Sequence, residues 1–123
     1  MQRSQRLRSP RDFRRVREGG RTWSHPLLVL SVAPARANRV RCGIVVRKSL
    51  GTAVERNRYK RQVREATRLV YDQIRPGWDV IFIVRAGFRT AAWEQIQQAV
   101  SRLLQQAQLW HDREQPSQED RHG

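Results

Sequence analysis

Apolar residues recur with helical spacing in three segments of this chain. The first segment is short, since Ser9 and Pro10 suit the start of a helix and Gly19-Gly20 suits its end. The second covers residues 52–74 and the third covers residues 91–110, each with apolar positions three or four residues apart. Three helices are therefore predicted.

Three other segments have the composition of strands. Residues 27–33 and 40–46 are rich in branched aliphatic side chains and are expected to pair as a hairpin. Residues 78–84 are almost wholly apolar, as a central strand covered on one or both faces would be. The order of helices and strands predicts an α+β domain, in which helices pack on a small sheet.

The two ends of the chain differ from the rest. Residues 1–8 combine arginines with little apolar content, so a mobile basic arm is expected. Residues 111–123 are polar and predict a disordered tail. A single domain of residues 9–110 lies between them, and its length is sufficient to bury a modest core without disulfides.

The central helix has the strongest local signals. Thr52 and Glu55 have the spacing of a capping box, in which each side chain accepts from the backbone amide of the other residue. The apolar face of the helix comprises Tyr59, Val63, Ala66, Val70 and Ile74. A cationic stripe on another face, with no acid between its members, comprises Lys60, Arg61, Arg64 and Arg68. Because like charges four residues apart destabilise a helix, a polyanionic partner is expected to compensate.

The charge of the whole chain supports the same expectation. The formal net charge is +14 and the calculated pI is about 11.7. Such an excess favours nucleic acid or an anionic membrane as a partner, and no apolar run approaches the ~20 residues of a membrane span. A solvated surface is the usual explanation of a charged helix face, but such surfaces normally mix both signs. We therefore expect a nucleic-acid partner and no membrane, with Trp23 as the tryptophan best placed to contact a ligand.

Side chains that could catalyse a reaction do not converge in this sequence. The three histidines are far apart, and His25 is expected to be a strand-edge residue. Nothing has zinc-ligand spacing, and no carboxylates cluster as a two-metal nuclease requires. Cys42 is the single cysteine, which excludes an intramolecular disulfide. We expect it to be a buried, inert thiol in a reducing, cytoplasmic environment.

Two features have more than one interpretation. Gly51 is expected to occupy a turn with an unusual φ angle, and it also precedes a helix N-terminus that could bind an anion beside Lys48 and Arg56. Phe13 and Val16 share a helical face. This face either packs in the core or leaves a groove in which an aromatic ring stacks on unpaired bases.

Residues 46–65 resemble the signature of the protein subunit of bacterial ribonuclease P. The residues that carry the resemblance are Gly51, Ala53, Val54, Arg56, Asn57, Arg58, Lys60, Arg61 and Arg64. Segments 12–16 and 79–81 are also similar to that family, and the likeness covers about residues 6 to 108. It implies an αβββαβα fold with a four-stranded sheet, in which parallel strands before and after the basic helix are joined by a left-handed crossover. The general rule for such crossovers would predict the right-handed form.

The resemblance also implies a function. Ribonuclease P is an endoribonuclease that removes the 5′ leader from precursor tRNA, and its RNA subunit performs the cleavage with magnesium bound mainly by that RNA. One protein per RNA would bind the catalytic RNA and the leader, and would aid substrate and magnesium binding. The residues implied to contact the catalytic RNA are Arg56, Asn57, Arg58, Lys60, Arg61, Arg64 and Arg68. The residues implied to line the leader groove are Phe13, Arg17, Val46 and Lys48.

The chain departs from the family pattern at three positions near the implied leader groove. Arg17 stands where a second aromatic residue is common, and Arg47 and Ser49 stand where serine and lysine are common. Leader binding is therefore expected to depend more on charge and less on stacking. Two other functions remain open on the sequence alone, a ribosomal or general RNA-binding protein and a nuclease that acts without an RNA subunit.

Overall fold

Three helices and four strands follow one another in the computed structural model of the protein, which describes residues 5–111. The helices are α1 (Pro10–Gly19), α2 (Ala53–Leu69) and α3 (Trp93–Gln106). The strands are β1 (Arg21–Ser24), β2 (Leu28–Pro34), β3 (Val40–Val45) and β4 (Trp78–Val84). This order confirms the predicted αβββαβα arrangement and the α+β class. Within the described range, none of the helices has the length and apolar character needed to cross a bilayer.

The four strands form one mixed sheet in the order β1-β2-β4-β3. β4 pairs antiparallel with β2 and parallel with β3. The predicted hairpin of β2 with β3 is therefore wrong, because β4 lies between them. Helix α2 supplies the crossover that a parallel pair requires, and it returns the most apolar strand to the middle of the sheet. The parallel pairing agrees with the family resemblance, while the handedness of the crossover stays a prediction.

Helices α2 and α3 pack on one face of the sheet and enclose the main core. Tyr59, Val63 and Ala66 are each at most 2% exposed, as the apolar face of α2 predicted. The ring of Tyr59 meets that of Phe88 edge-on, with centroids 5.6 Å apart. Burial of this face fixes the rotation of α2 about its axis, and hence the direction in which the cationic stripe points.

Helix α2 begins as predicted but ends earlier. The Glu55 amide donates to the Thr52 hydroxyl at 3.1 Å, and the Thr52 amide donates to the Glu55 carboxylate at 2.8 Å, which confirms the capping box. The helix ends at Leu69 instead of Ile74. A short 3₁₀ turn at Tyr71–Gln73 redirects the chain. Ile74 is then extended and buried, at 3% exposure.

Helix α3 is also shorter than the predicted range of residues 91–110, since it ends at Gln106. Gln108 adopts a φ of 61°, in the left-handed region that commonly ends helices. The turn lets the amide of Leu109 donate to the carbonyl of Leu104 at 2.9 Å. Leu109 is thereby buried at 2% exposure instead of continuing the helix.

Helix α1 packs on the opposite face of the sheet. Val16 is fully buried there, and the Ser31 hydroxyl donates to its carbonyl at 3.1 Å. Residues 5–8 of the predicted arm run alongside β3, where Leu7 is 4% exposed and its amide donates to the Cys42 carbonyl at 2.9 Å. The rest of the predicted arm, residues 1–4, and the predicted tail from residue 112 onward lie outside the described residues.

A buried ion cluster attaches α1 to the sheet. Asp79 on β4 is fully buried and accepts from Arg41 on β3 at 2.9 and 3.0 Å. Arg15 on α1 also donates to Asp79, and Asp12 on α1 lies 3.4 Å from Arg41. The hydrogen bond to Asp79 raises the pKa of Arg41. Because a buried carboxylate requires such partners, the cluster fixes the start of α1 over β3 and β4.

Candidate nucleic-acid interface

The cationic stripe lies on the side of α2 that faces away from the main core. Arg61 and Arg68 are exposed, whereas Lys60 and Arg64 are half-buried. A shallow hollow of about 400 Å³ follows the stripe, and its lining consists of Val54, Asn57, Lys60, Arg61 and Arg64. Val54 is 76% exposed and adds apolar surface to the hollow. The hollow therefore combines cations, an amide and accessible apolar surface.

The arginines of the first turns of α2 extend this cationic surface. Arg56 is half-buried and its Nε donates to the Gly51 carbonyl at 3.2 Å. Arg58 is exposed, and its guanidinium carbon lies 5.4 Å from the centroid of the Tyr59 ring. This cation–π contact positions the guanidinium without neutralising its charge. Asn57, also exposed, lies between the two arginines in sequence.

Arg68 differs from the other members of the cationic stripe. Its Nε donates to Glu65 at 2.8 Å, so an acid beside the stripe compensates this cation. The hydrogen bond lowers the pKa of Glu65 and raises the pKa of Arg68. The uncompensated part of the stripe therefore consists of Lys60, Arg61 and Arg64.

A cavity of about 210 Å³ connects the cationic stripe with α1 and the segment before it. Its lining consists of Arg6, Leu7, Arg8, Phe13, Cys42, Gly43, Ile44, Lys60 and Arg64. Burial lowers the pKa of Arg64, and the charge of Arg6 lowers it further. The Nε of Arg6 is buried without a hydrogen-bond partner in the described part of the chain. Four cations line this cavity without an acid, a composition that suits a phosphate group.

The sheet face beneath α1 is only partly covered. Helix α1 contacts two rows of residues that run across neighbouring strands of the sheet. One row contains Asp79 and the other contains Ile81. The next row is half-buried and consists of Val29, Ile83 and Val45, which lie side by side on β2, β4 and β3. We call this row the apolar shelf. The ring of Phe13 lies against Gly43 in the row before it, where an added β-carbon would be 2.5 Å from Phe13 Cζ.

The residues implied to contact a leader occupy different surroundings. Phe13 and Arg17 line one hollow on the surface of α1, and Lys48 is exposed where the chain leaves β3. Val46 instead belongs to the main core and is 9% exposed. Because side chains alternate along the chain, Val45 belongs to the apolar shelf, whereas Val46 lies on the opposite face. Sequence reasoning missed the shelf, since β2 and β4 are apolar on both faces and no alternation reveals the open one.

Other candidates for chemistry have structural roles. The Nδ1 of His25 accepts from the Leu27 amide at 3.1 Å, and burial together with the charge of Arg102 lowers the pKa of His25. Cys42 is 4% exposed, and burial raises the pKa of its thiol to about 12, as expected of an inert cysteine. Over residues 5–111, no three histidine, cysteine, aspartate or glutamate side chains are grouped so that they could hold a metal ion.

The two interpretations of Gly51 are resolved by its geometry. Its φ is +146°, and an added β-carbon would lie 2.6 Å from Glu55 Oε1. Backbone and side-chain hydrogen bonds from Thr52 lower the pKa of Glu55, so a carboxylate already occupies the N-terminus of α2. Gly51 is therefore required by the turn. Trp23 packs against the main core, with the guanidinium carbon of Arg21 5.3 Å from its ring.

Known proteins resemble this chain along most of its length. The family described as Ribonuclease P matches residues 1–108. The Ribonuclease P protein component of Roseiflexus castenholzii is 52% identical over 108 residues, which cover 87% of this chain and 88% of that protein. That of Clostridioides difficile is 33% identical over 104 residues, which cover 84% of this chain and 91% of that protein.

Solved structures of other proteins share the fold. The RNase P protein of Staphylococcus aureus superposes with a TM-score of 0.80 at 29% identity, covering 87% of this chain and 98% of that one. The RNase P protein from Thermotoga maritima gives a TM-score of 0.76 at 28% identity, covering 82% of this chain and 96% of that one.

Proposed function

This chain belongs to the ribonuclease P protein family, and we propose that it binds the catalytic RNA of that ribonucleoprotein through α2 and the 5′ leader of precursor tRNA beneath α1. One copy per RNA is proposed, acting in the bacterial cytoplasm. The observation that carries the proposal is the cavity that joins Phe13 to Lys60 and Arg64. An aromatic ring and cations with no acid partner in the described part of the chain share one continuous surface, a combination that suits single-stranded RNA.

Contacts to the catalytic RNA are assigned to the exposed and half-buried cations of α2. Their side chains supply charge to phosphates, and the buried face of the helix holds them in one direction. The residues assigned to this role are Arg56, Asn57, Arg58, Lys60, Arg61 and Arg64. Arg68 is assigned a weaker contribution, because Glu65 already accepts from its guanidinium.

Contacts to the leader are assigned to the apolar shelf and its border. Val45 and Ile83 offer apolar surface to bases, and Phe13 offers a ring face on which a base can stack. Arg17 and Lys48 are exposed and can pair with leader phosphates. Base stacking and phosphate contacts do not distinguish one base from another by hydrogen bonding. The site is therefore expected to tolerate different leader sequences.

Cleavage itself is assigned to the RNA subunit, and magnesium is assigned mainly to that RNA. Asp12 and Asp79 share the guanidinium of Arg41, so these carboxylates do not fit a magnesium ion. The protein contributes positive charge between two polyanions, which lowers their mutual repulsion and releases condensed counterions. Substrate docks more readily as a result.

A reconstitution tests this assignment against its two alternatives. Precursor tRNA is incubated at low magnesium with the protein, with the ribonuclease P RNA, and with both. We expect cleavage at the mature 5′ end to be fast only when both are present. Cleavage by the protein alone would identify a nuclease. Failure to stimulate the RNA, together with co-sedimentation with ribosomes, would identify a general RNA-binding protein.

Replacing Gly43 with alanine is expected to reduce the contribution of the leader to substrate affinity by about tenfold, since stacking of one base is worth roughly 1–3 kcal/mol. The new methyl group would lie 2.5 Å from Phe13 Cζ, so the ring must leave its place beside the shelf. The measurement is the affinity of the reconstituted holoenzyme for precursor tRNA relative to mature tRNA.

Gly19→Ala is the matched control, because nothing lies within 4 Å of an added β-carbon at that position of α1. Phe13→Ala should reproduce the effect of Gly43→Ala. An unchanged preference for precursor over mature tRNA in both Gly43→Ala and Phe13→Ala would remove Phe13 from the leader site.

A further inference from the structure

A second cationic surface lies at the start of α1, where that helix approaches the connection between β2 and β3. Here a cleft of about 630 Å³ is lined by five arginines and a single aspartate, together with small and apolar residues. The charged residues of this arginine cleft are Arg11, Asp12, Arg15, Arg36, Arg39 and Arg41. None of them belongs to α2 or to the apolar shelf.

The inner arginines of the cleft are held in place by the buried ion cluster. Arg41 makes two hydrogen bonds to the fully buried Asp79, and its side chain is 20% exposed. Arg15 donates to the same carboxylate and retains 39% side-chain exposure. Arg41 also donates to Asp12, and Arg15 also donates to the Pro34 carbonyl, so both guanidinium groups are held in fixed positions on the wall of the cleft.

The outer arginines lack such partners. Arg11, Arg36 and Arg39 are exposed, and no acid lies within ion-pair distance of them in the described part of the chain. The backbone beneath two of them is fixed, because Ala35 donates to Gly77 at 2.8 Å and Gly77 donates to the Arg39 carbonyl at 2.9 Å. Excess positive charge is thus concentrated on a concave surface with a supported backbone.

We propose that the arginine cleft binds backbone phosphates of RNA, as a site separate from the cationic stripe and the apolar shelf. Guanidinium groups bind phosphate oxygens in bidentate fashion, and five of them converge here from three parts of the chain. Along β3, Arg41 and Val45 are four residues apart, which corresponds to about 13 Å. Helix α1 lies between the cleft and the shelf, so one nucleotide cannot occupy both.

Which RNA the arginine cleft binds rests on the proposed function. The two candidates are the catalytic RNA and a distant part of the precursor leader. Binding of phosphate by the cleft does not depend on that choice. The test variant is Arg36→Gln/Arg39→Gln. Both residues are exposed and outside helices and strands, so the fold is retained.

Affinity for the ribonuclease P RNA is measured for this variant over a range of salt concentrations. A separate arm measures the affinity of the assembled holoenzyme for precursor tRNA with a short and with a long leader. In one of the two arms, we expect the negative slope of log K against log salt to become less steep by about one unit for each arginine replaced. A weaker affinity for the RNA alone identifies the catalytic RNA as the ligand, and a weaker affinity restricted to the long leader identifies the leader.

Arg102→Gln on α3 is the control for charge, and its slope should equal that of the unmodified protein. Arg36→Lys/Arg39→Lys should keep the slope but bind more weakly, because lysine lacks the bidentate fork. Unmodified slopes and affinities for Arg36→Gln/Arg39→Gln in both arms would overturn the arginine cleft as an RNA site. The proposed function would stand in that event, since the reconstitution and the α2 and Phe13 variants test it without the arginine cleft.

Discussion

Replacing Lys60, Arg61 and Arg64 together with glutamine is expected to weaken binding of the ribonuclease P RNA on the order of a hundredfold, since each charge-assisted hydrogen bond contributes roughly 1 kcal/mol or more. The negative slope of log K against log salt should become less steep by about three units at most, one for each phosphate that the variant no longer neutralises. These three cations have no acid partner among residues 5–111, and they line the hollow along α2. The measurement is a binding titration of labelled RNA at several salt concentrations.

A matched pair of single variants tests whether the unpaired cations are the ones that matter. Arg61 and Arg68 are both exposed and lie on the same helix, but only Arg68 donates to Glu65. Arg61→Gln should therefore weaken RNA binding more than Arg68→Gln. His25→Ala should have little effect. An unmodified salt slope in the triple variant would contradict the assignment of α2 to the RNA interface.

Replacing Asp79 with alanine is expected to lower the free energy of unfolding by about 3–5 kcal/mol, the range typical when one member of a buried ion pair is removed. The substitution leaves Arg15 and Arg41 without the carboxylate that both of them contact. Urea denaturation provides the measurement, with the midpoint and the slope of the transition compared between variants.

Asp12→Asn is the control within the same ion cluster. Its side chain is 26% exposed and its distances to Arg15 and Arg41 are 3.7 and 3.4 Å, so we expect a destabilisation of about 1 kcal/mol or less. Arg15→Met/Arg41→Met/Asp79→Leu should recover much of the stability that Asp79→Ala removes, because no buried charge remains unpaired. A destabilisation below about 1 kcal/mol in Asp79→Ala would show that the cluster does not hold α1 on the sheet.

The stability of this cluster has a functional consequence. Asp79 holds Arg15, which lies on α1 two residues after Phe13. If α1 shifts, Phe13 leaves its position against Gly43, and the leader should bind less well. The family resemblance included segment 79–81, but it did not indicate that Asp79 is buried among arginines.

Local signals predicted the helices and the cationic face of α2 correctly. Thr52 and Glu55 form the capping box because its groups are three residues apart, and no distant residue is needed. The two faces of α2 follow from helical periodicity in the same way. Helix ends were less predictable, because Ile74 leaves the helix to bury its side chain, at 3% exposure, against parts of the chain that the local pattern does not include.

The sequence by itself determined the net positive charge, the capped central helix and the direction of the cationic stripe relative to the apolar face. Only the tertiary structure decided that β4 lies between β2 and β3, that Val45 and not Val46 belongs to the apolar shelf, and that Phe13 meets Lys60 and Arg64 at one cavity. Helix periodicity and capping depend on residues within one or two turns of each other. Strand order, register and the meeting of side chains from separate elements depend on residues far apart in sequence, whose pairing is chosen by burial of the whole core.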